Sequence, residues 1–442
     1  MNSNNSKNQL TKNVFSLTIV QVATYILPLI SVPVVSRIIG PAKYGIINFS
    51  AAYISYFTLL ISYSFDFTAT RKIAREPNNE CNRNLVFSEV FYTQCLLFVF
   101  SLITFTILLF NVSELKENIT VVIFSFSICV ATLFTQNWLF QAMQDLSKVA
   151  LFNLISRLIF TLLILLIVRK NADYIWQPLL LGVVQTTIAI WSFIWAFKKY
   201  KLRFIKVSII RCFQLLWEER IIFLSLIFVN FYSSTNTVIL GLYQDAEQVG
   251  YYTAAQRLII IAQSVLAMPL AQAFYPFIGK AFGESREQGL KVAQKLISFI
   301  VIYVGLASIM MCVLGPFVIR AFYGQKFEAA IPIFQILTII PLLFSLNNVL
   351  GIQIMLNLGM DKYFLKVTAA AGVLSIFLNI LTVKHLGYIG STINWLIIEF
   401  FLFGNMYIIL KQQNLNPINS KYFKFSLIIE YIKPLKEKLF KL

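Results

Sequence analysis

The chain has 442 residues, of which 58% are hydrophobic and 13% are charged, and its mean hydropathy is +0.75. Soluble globular proteins carry roughly 25% charged residues, so this composition excludes an ordinary soluble domain and indicates that lipid is the solvent. The net charge of +18 is attributed to Lys and Arg that face anionic lipid, so it does not indicate a nucleic-acid-binding protein.

Long apolar runs predict an all-α membrane protein with about twelve transmembrane helices. Hydrocarbon offers no partner to backbone N–H and C=O groups, so each run must pair them internally as a helix. The runs cover residues 14–40, 44–66, 85–110, 119–143, 149–168, 178–197, 221–243, 249–278, 296–320, 329–358, 363–383 and 388–410. The first run is longer than the apolar core of a signal peptide, so we expect it to remain as a span.

The distribution of Lys and Arg predicts the orientation. With the N-terminus in the cytosol, 27 of the 37 basic residues fall on the cytosolic side and 8 on the outer side. Cytosolic loops are enriched in Lys and Arg, so both termini of this multi-pass protein are expected in the cytosol.

A weak internal repeat predicts two related bundles of six helices. The loop at 40–46, after the first span, resembles 244–251 after the seventh, and 141–148, after the fourth, resembles 356–362 after the tenth. An even number of spans in each half gives parallel repeats, which are expected to surround a central cavity. The predicted parts are an N-terminal half at 1–200, a cytosolic amphipathic linker at 201–220, a C-terminal half at 221–411 and a basic cytosolic tail at 412–442.

Apolar residues of the linker share one face of a predicted helix, namely Leu202, Ile205, Ile209, Cys212 and Leu216. Basic residues occupy the remaining faces. This pattern predicts a helix that lies in the lipid headgroups at the cytosolic surface.

Polar side chains mark the first two spans of each half as candidates for lining the cavity, because polar groups inside a membrane usually face protein or water. The candidates are Gln21 in span one, Asn48 and Asp66 in span two, Asn230 in span seven and Gln256 in span eight. Ordinary hydrogen bonding between helices is the alternative explanation.

Two arginines and two acids inside the spans or at their ends have both functional and structural explanations. Arg257 and Arg157 suit an anionic headgroup, since the planar guanidinium binds diphosphate in a bidentate manner, but either side chain could instead snorkel or form an ion pair. Glu399 and Asp66 are candidates for coupling transport to an ion. A buried hydrogen bond is the alternative for Glu399. For Asp66, with Glu89, the alternative is an ion-pair cluster with Arg71, Lys72 and Arg83.

No catalytic, cofactor or metal site is predicted. His385 is the single histidine, the five cysteines are dispersed without a CxxC pair, and no phosphate-binding GxxxxGK[ST] sequence occurs. The chain is therefore expected to be a transporter and not an enzyme.

Five stretches in order resemble the polysaccharide repeat-unit flippases of the multidrug/oligosaccharidyl-lipid/polysaccharide (MOP) exporter superfamily. They are RIIGPAKYGIINF at 37–49, FDFTATRKIAR at 65–75, NWLFQAMQD at 137–145 with a following arginine that falls on Arg157, TNTVILG with VGYYTAAQRL at 235–258, and NNVLGIQIMLNLGMDK at 347–362. The resemblance covers essentially the whole chain, although Ala142 stands where the family usually has glycine.

The resemblance implies a flippase that moves undecaprenyl-diphosphate-linked oligosaccharides across the bacterial cytoplasmic membrane by alternating access, for O-antigen, capsule or exopolysaccharide synthesis. Arg37, which precedes the first matching loop, joins the candidate substrate-binding residues. The implied partners are membrane lipids and the polymerase and chain-length proteins of the same pathway. Alternatives are a small-molecule or cation exporter or a peptidoglycan-precursor flippase of the same superfamily, and a membrane glycan polymerase or ligase, which would need a large outer loop.

The predicted orientation can be tested with single cysteines in intact cells. A membrane-impermeant thiol reagent should label cysteine at Lys116 or Lys326 from outside and should not label cysteine at Lys199 or Lys291. The opposite labelling pattern would contradict both the orientation and the repeat.

Overall fold

The computed structural model describes residues 3–423, without the side chains of residues 3–26, 29, 229, 232, 233, 272 and 273. Every regular element in that range is helical. The α-helices are α1 (Ser3–Ser62), α2 (Phe65–Ala74), α3 (Glu80–Asn111), α4 (Ser113–Glu117), α5 (Ile119–Phe134), α6 (Asn137–Ala142), α7 (Leu146–Ile167), α8 (Trp176–Lys199), α9 (Ile209–Tyr243), α10 (Ala246–Leu266), α11 (Met268–Glu284), α12 (Arg286–Tyr323), α13 (Ala330–Leu337), α14 (Ile340–Asn348) and α15 (Asp361–Gln412). Short 3₁₀ helices occupy Asn171–Ile175, Gln325–Phe327 and Ser420–Tyr422, and Val349–Leu356 is a π-helix.

The predicted fold class, an all-α membrane protein, is confirmed. In the described part of the chain, nine helical stretches are long and apolar enough to cross a membrane. Two of them bend at a glycine that lies between two predicted spans, Gly40 in α1 (φ 76°) and Gly387 in α15 (φ 55°). Glycine has no Cβ, so it adopts these left-handed angles without a steric penalty. The count of twelve spans stays a prediction.

The described residues form two compact units. The first contains the residues up to Tyr251 together with Ala321–Phe327, and the second contains Tyr252–Arg320 and the residues from Glu328 onward. Helix α9 thus belongs to the first unit. The division into two six-helix halves at the linker stays a prediction.

Aromatic side chains fill the core of the first unit. Phe87 of α3 lies 6.5 Å from Trp138 of α6 and 5.8 Å from Phe193 of α8, measured between ring centroids. Phe65 of α2 and Leu215 of α9 are buried in the same cluster. Because lipid tails are as apolar as these side chains, close ring packing rather than escape from water holds the helices together. This core fixes α2 and the first half of α9 relative to each other.

The prediction of a helix across the whole linker is wrong for residues 202–208, which are not helical. The segment follows polar side chains of α3: the Arg203 amide donates to Asn84 Oδ1 (3.1 Å) and the Ile205 amide donates to Ser88 Oγ (2.9 Å). These acceptors satisfy backbone groups that a helix would have paired internally. Helix α9 then begins at Ile209, where the Ser208 hydroxyl accepts from the Arg211 amide.

The predicted apolar face at the start of α9 is split, because Ile209 is 68% exposed whereas the side that carries Cys212 is bound to the protein. Cys212 is buried, whereas Ile210 and Trp217 are 71% and 68% exposed. Two ion pairs hold this side down, Arg211 Nε to Glu89 Oε1 and Lys72 Nζ to Glu219 Oε1, both at 2.8 Å. The hydrogen bonds that Arg211 donates to Glu89 and Glu218 raise the pKa of Arg211 further, so its guanidinium stays charged. The exposed side of this part of α9 is therefore the one that carries Ile210 and Trp217.

The two repeat-related loops after spans one and seven touch each other within the first unit. A Cβ atom placed on Gly45 would overlap the carbonyl oxygen of Ala246, and one placed on Gly250 would overlap the carbonyl oxygen of Pro41. Gly45 and Gly250 occupy corresponding positions in the repeat. Small residues at a helix crossing allow such close backbone approach. The weak sequence repeat thus coincides with a reciprocal contact.

Alanine at either glycine should therefore destabilise the protein. We expect Gly45→Ala and Gly250→Ala each to cost roughly 1–3 kcal/mol, because overpacking forces the backbones apart. Thermal unfolding of the purified protein in detergent measures this. Gly305→Ala is the matched control, since a Cβ atom there meets nothing within 4 Å. Equal melting temperatures for Gly45→Ala and Gly305→Ala would contradict the contact.

Candidate functional site

A cavity of about 320 Å³ with both polar and apolar side chains in its wall lies in the first unit between the end of α1, the start of α2 and the middle of α9. Ligand pockets typically begin at roughly 300 Å³, so this space is large enough for a small group of atoms such as a sugar ring. The lining residues are Ser55, Thr58, Leu59, Ser62, Tyr63, Asp66, Phe67, Leu226 and Asn230. Apart from the two residues on α2, every lining residue comes from predicted span two or predicted span seven, and both spans were predicted to line a cavity.

A strained backbone at Tyr63 shapes this cavity. The residue separates α1 from α2 and has φ 51°, a left-handed conformation that costs a non-glycine residue about 1–3 kcal/mol. Its ring stacks on Phe223 with centroids 4.0 Å apart, and its hydroxyl donates to the carbonyl of Leu216 (2.8 Å). These contacts with α9 hold the strained turn, and the turn places Asp66 and Phe67 at the cavity.

Three of the four hydroxyl groups in the cavity wall have their protons engaged elsewhere. Ser55 Oγ donates to the carbonyl of Ala52 (2.6 Å), and Thr58 Oγ1 donates to the carbonyl of Ser55 (2.9 Å). The Tyr63 hydroxyl donates to Leu216, as described above. What these groups offer a ligand is therefore the lone pairs of their oxygens. The cavity is rich in acceptors.

Asp66 is exposed to the cavity and has no cation within ion-pair distance among the residues that the structure describes. The predicted ion-pair cluster is wrong for this residue. Arg71 and Lys72 follow it by five and six positions on α2, which turns them roughly 120–140° away around the helix. Lys72 pairs with Glu219 instead, and Glu89 pairs with Arg211.

The structure brings together two of the predicted site residues, Asp66 and Asn230. The other candidates of the first unit do not line the cavity. Asn48 is half-buried and donates to the carbonyl of Tyr44 (2.7 Å), Arg37 is exposed and donates to the carbonyl of Ala321, and Arg157 is half-buried on α7.

The remaining candidates lie in the second unit or outside the described side chains. On α10, Arg257 is exposed and Gln256 is half-buried. The side chain of Gln21 lies outside the described residues. The substrate-binding roles of all seven candidates stay predictions.

Glu399 is buried in the second unit and bound by two donors. Asn347 Nδ2 donates to its Oε2 (2.7 Å), and Trp395 Nε1 donates to its Oε1 (3.4 Å). This is the buried hydrogen-bonded arrangement that was the alternative to ion coupling. Asn347 lies two residues before the π-helix Val349–Leu356, an irregularity that is frequent at functional sites. The coupling role of Glu399 stays a prediction.

Sequence reasoning missed two aromatic residues of the cavity, Tyr63 and Phe67. Both lie at the end of an apolar run, where the spacing of aromatic residues does not distinguish a residue that lines a cavity from one that faces lipid. The sequence Ser62-Tyr63-Ser64 at the end of the predicted span was the only hint of a break. In the described part of the chain, no cluster of three or more His, Cys, Asp or Glu side chains could hold a metal ion.

A family model described as "Polysaccharide biosynthesis protein" matches residues 10–282, more than half of the chain. Two relatives carry the name "Putative O-antigen transporter". The one from Escherichia coli (strain K12) is 28% identical over 420 residues, which cover 93% of this chain and 99% of the relative. The one from Shigella dysenteriae is 24% identical over 398 residues, which cover 88% and 97%.

Two solved structures show the same fold at low sequence identity. The lipid II flippase MurJ, in an inward closed conformation, has a TM-score of 0.75 and 13% identity, covering 92% of this chain and 88% of its own. A multidrug resistance MATE family transporter of the MOP superfamily, in an inward-facing conformation, has a TM-score of 0.66 and 13% identity, covering 89% and 98%. The MOP-exporter-like fold that was predicted from the sequence is thereby confirmed.

Proposed function

This chain belongs to the polysaccharide biosynthesis protein family, and from that membership we propose that it is a flippase for lipid-linked oligosaccharides. The name of the two relatives, which describes an O-antigen transporter, supports transport as the activity. The proposed cargo is an undecaprenyl-diphosphate-linked repeat unit for O-antigen, capsule or exopolysaccharide. The proposed place is the bacterial cytoplasmic membrane, with both termini in the cytosol.

A cavity with hydroxyl, amide and carboxylate groups in its wall, in a lipid-solvated protein, is the observation that carries the proposal. A glycan headgroup cannot cross hydrocarbon alone, because each buried hydroxyl without a partner costs roughly 2–7 kcal/mol. A cavity lined by hydroxyl and carboxylate oxygens replaces part of the water that the headgroup leaves behind. The polyprenyl tail needs no such partner, and no covalent step is required.

Alternating access is the proposed mechanism, and the contact between Gly45 and Gly250 supports it. Under the proposed orientation this contact lies at the outer ends of the helices, whereas the cavity lies toward their cytosolic ends. Outward release would then require the two repeat-related loops to separate. Tyr44 and Tyr251, the neighbours of these glycines, both pack on Phe327, so this separation would also have to unpack that aromatic contact.

The diphosphate of the cargo requires a cation, and Arg257 is the proposed one. Its guanidinium is always charged and presents a planar fork of donors to phosphate oxygens. Arg157 is the second candidate, and Arg37, Gln21, Asn48, Asn230 and Gln256 are proposed to bind the polar part of the cargo. Glu399 and Asp66 are the proposed candidates for proton or sodium coupling. The polymerase and chain-length proteins of the same pathway are the proposed partners.

Substitution of the two arginines tests this assignment in cells of the producing bacterium. Arg257→Ala should abolish surface glycan, because the diphosphate loses its cation, while the protein still inserts and accumulates. Arg257→Lys should be partly active, because lysine keeps the charge but loses the bidentate fork. Arg157→Ala is the comparison and should retain most transport if that side chain only snorkels. Normal surface glycan in Arg257→Ala at matched expression would contradict the diphosphate site.

A further inference from the structure

We propose that the cavity at the end of α1 binds an uncharged or amino sugar of the cargo and rejects acidic sugars, with Asp66 as the residue that determines this selectivity. The inference rests on the proposed flippase function and adds a substrate class to it. Its basis is the chemistry of the cavity wall, in which acceptors and aromatic surface occur together without a described cation that faces them.

The distribution of protons in the wall selects ligands that donate. The hydroxyl groups of Ser55, Thr58 and Tyr63 all donate to backbone carbonyls. Their oxygens can then only accept from a ligand, and the carboxylate of Asp66 has acceptors alone. Sugar hydroxyls, the N–H of an acetamido group and a sugar ammonium group are donors, so they suit this wall. Carboxylate and phosphate groups carry no donor at neutral pH and do not.

The charge of Asp66 strengthens this selection. A carboxylate can accept from two neighbouring hydroxyls of a sugar ring, and hydrogen bonds to a charged acceptor are roughly twice as strong as neutral ones. The same charge repels the carboxylate of a uronic acid. The diphosphate of the cargo is repelled as well, so the cavity takes the glycan and the cation for diphosphate lies elsewhere.

Two basic residues near this wall, Lys72 and Arg220, have partners other than Asp66. Lys72 pairs with Glu219. Glu219 and Arg220 are both close enough to Tyr63 to interact with it electrostatically. The Arg220 guanidinium lies 3.9 Å from the centre of the Trp217 ring and donates to the Trp217 carbonyl.

Aromatic surface completes a carbohydrate site. The side chain of Phe67 is 61% exposed although it lines a cavity, and Tyr63 lies beside it. The face of an aromatic ring is electron-rich, and the C–H groups on one face of a pyranose are weakly positive, so the two surfaces attract. An exposed ring next to a carboxylate therefore offers a partner to the C–H face of a sugar and another to its hydroxyl groups.

Binding of three lipid probes to the full-length protein in nanodiscs tests the inference. The probes are undecaprenyl diphosphate alone, the same lipid linked to N-acetylglucosamine, and the same lipid linked to glucuronic acid. We expect the wild-type protein to bind the N-acetylglucosamine probe about tenfold more tightly than the glucuronic acid probe. Asp66→Asn should reduce this preference to about threefold or less, chiefly by improving binding of the acidic probe, and should leave binding of the sugar-free lipid unchanged.

Two further variants separate recognition from folding. Phe67→Ala should weaken binding of both sugar-linked probes and leave the sugar-free lipid unaffected. Asp361→Asn removes an exposed carboxylate at the start of α15, outside the cavity, and should keep the wild-type preference.

The outcomes distinguish this inference from the proposed function. If the wild-type protein binds none of the three lipids, both fail. If it binds all three without preferring the neutral sugar, or if Asp66→Asn keeps the full preference, only the sugar selectivity fails. An Asp66→Asn variant that keeps the preference but transports without response to a proton or sodium gradient would make Asp66 the coupling acid and overturn the inference.

Discussion

Hydrocarbon offers no hydrogen-bond partner, and this constraint decides where each polar group of the chain can lie. Most hydroxyl groups inside the helices meet it locally: Ser50, Ser88 and Thr93 each donate to the carbonyl four residues earlier. Glu399 meets it with two donors from neighbouring side chains. An ionised carboxylate cannot donate, so Asp66 has no local solution of this kind and lies at the wall of the cavity. The free-energy cost of an unpartnered polar group in hydrocarbon therefore explains why this acid lies at a cavity and not against lipid.

Left-handed backbone conformations mark the places where the helices change direction. Gly40 and Gly387 carry this conformation at no steric cost, and each bends a helix between two predicted spans. Tyr63 carries it at a cost, and its contacts with Phe223 and Leu216 compensate. Strain of this kind persists where the surrounding structure holds it, frequently beside functional sites. Tyr63 is one of four non-glycine residues with positive φ in the described part of the chain, and it lies in the cavity wall near the acid that we assign to sugar recognition.

Sequence patterns predicted the helical segments because length and apolarity alone determine which segments can cross a bilayer. They also indicated two of the helices that line the cavity, since polar residues repeat along one face. The prediction of a helix over residues 202–208 was wrong because the backbone of this segment donates to Asn84 and Ser88 of α3. The spacing of apolar residues within the segment contains no information about such distant acceptors. The exposed position of Phe67 and the lack of a described cation near Asp66 depend on how α2 is turned, which no local pattern specifies.

Transport of a lipid-linked glycan by this chain alone is the central claim, and reconstitution tests it most directly. The purified protein is placed in lipid vesicles that contain a fluorescent undecaprenyl-diphosphate-linked saccharide, and a membrane-impermeant reagent quenches the label in the outer leaflet. Without transport about half of the label stays protected, because lipids with polar headgroups cross a bilayer slowly. The account predicts that vesicles with the protein lose most of this protection without added nucleotide. Protection equal to that of protein-free vesicles, with the protein shown to be inserted and folded, would contradict the account.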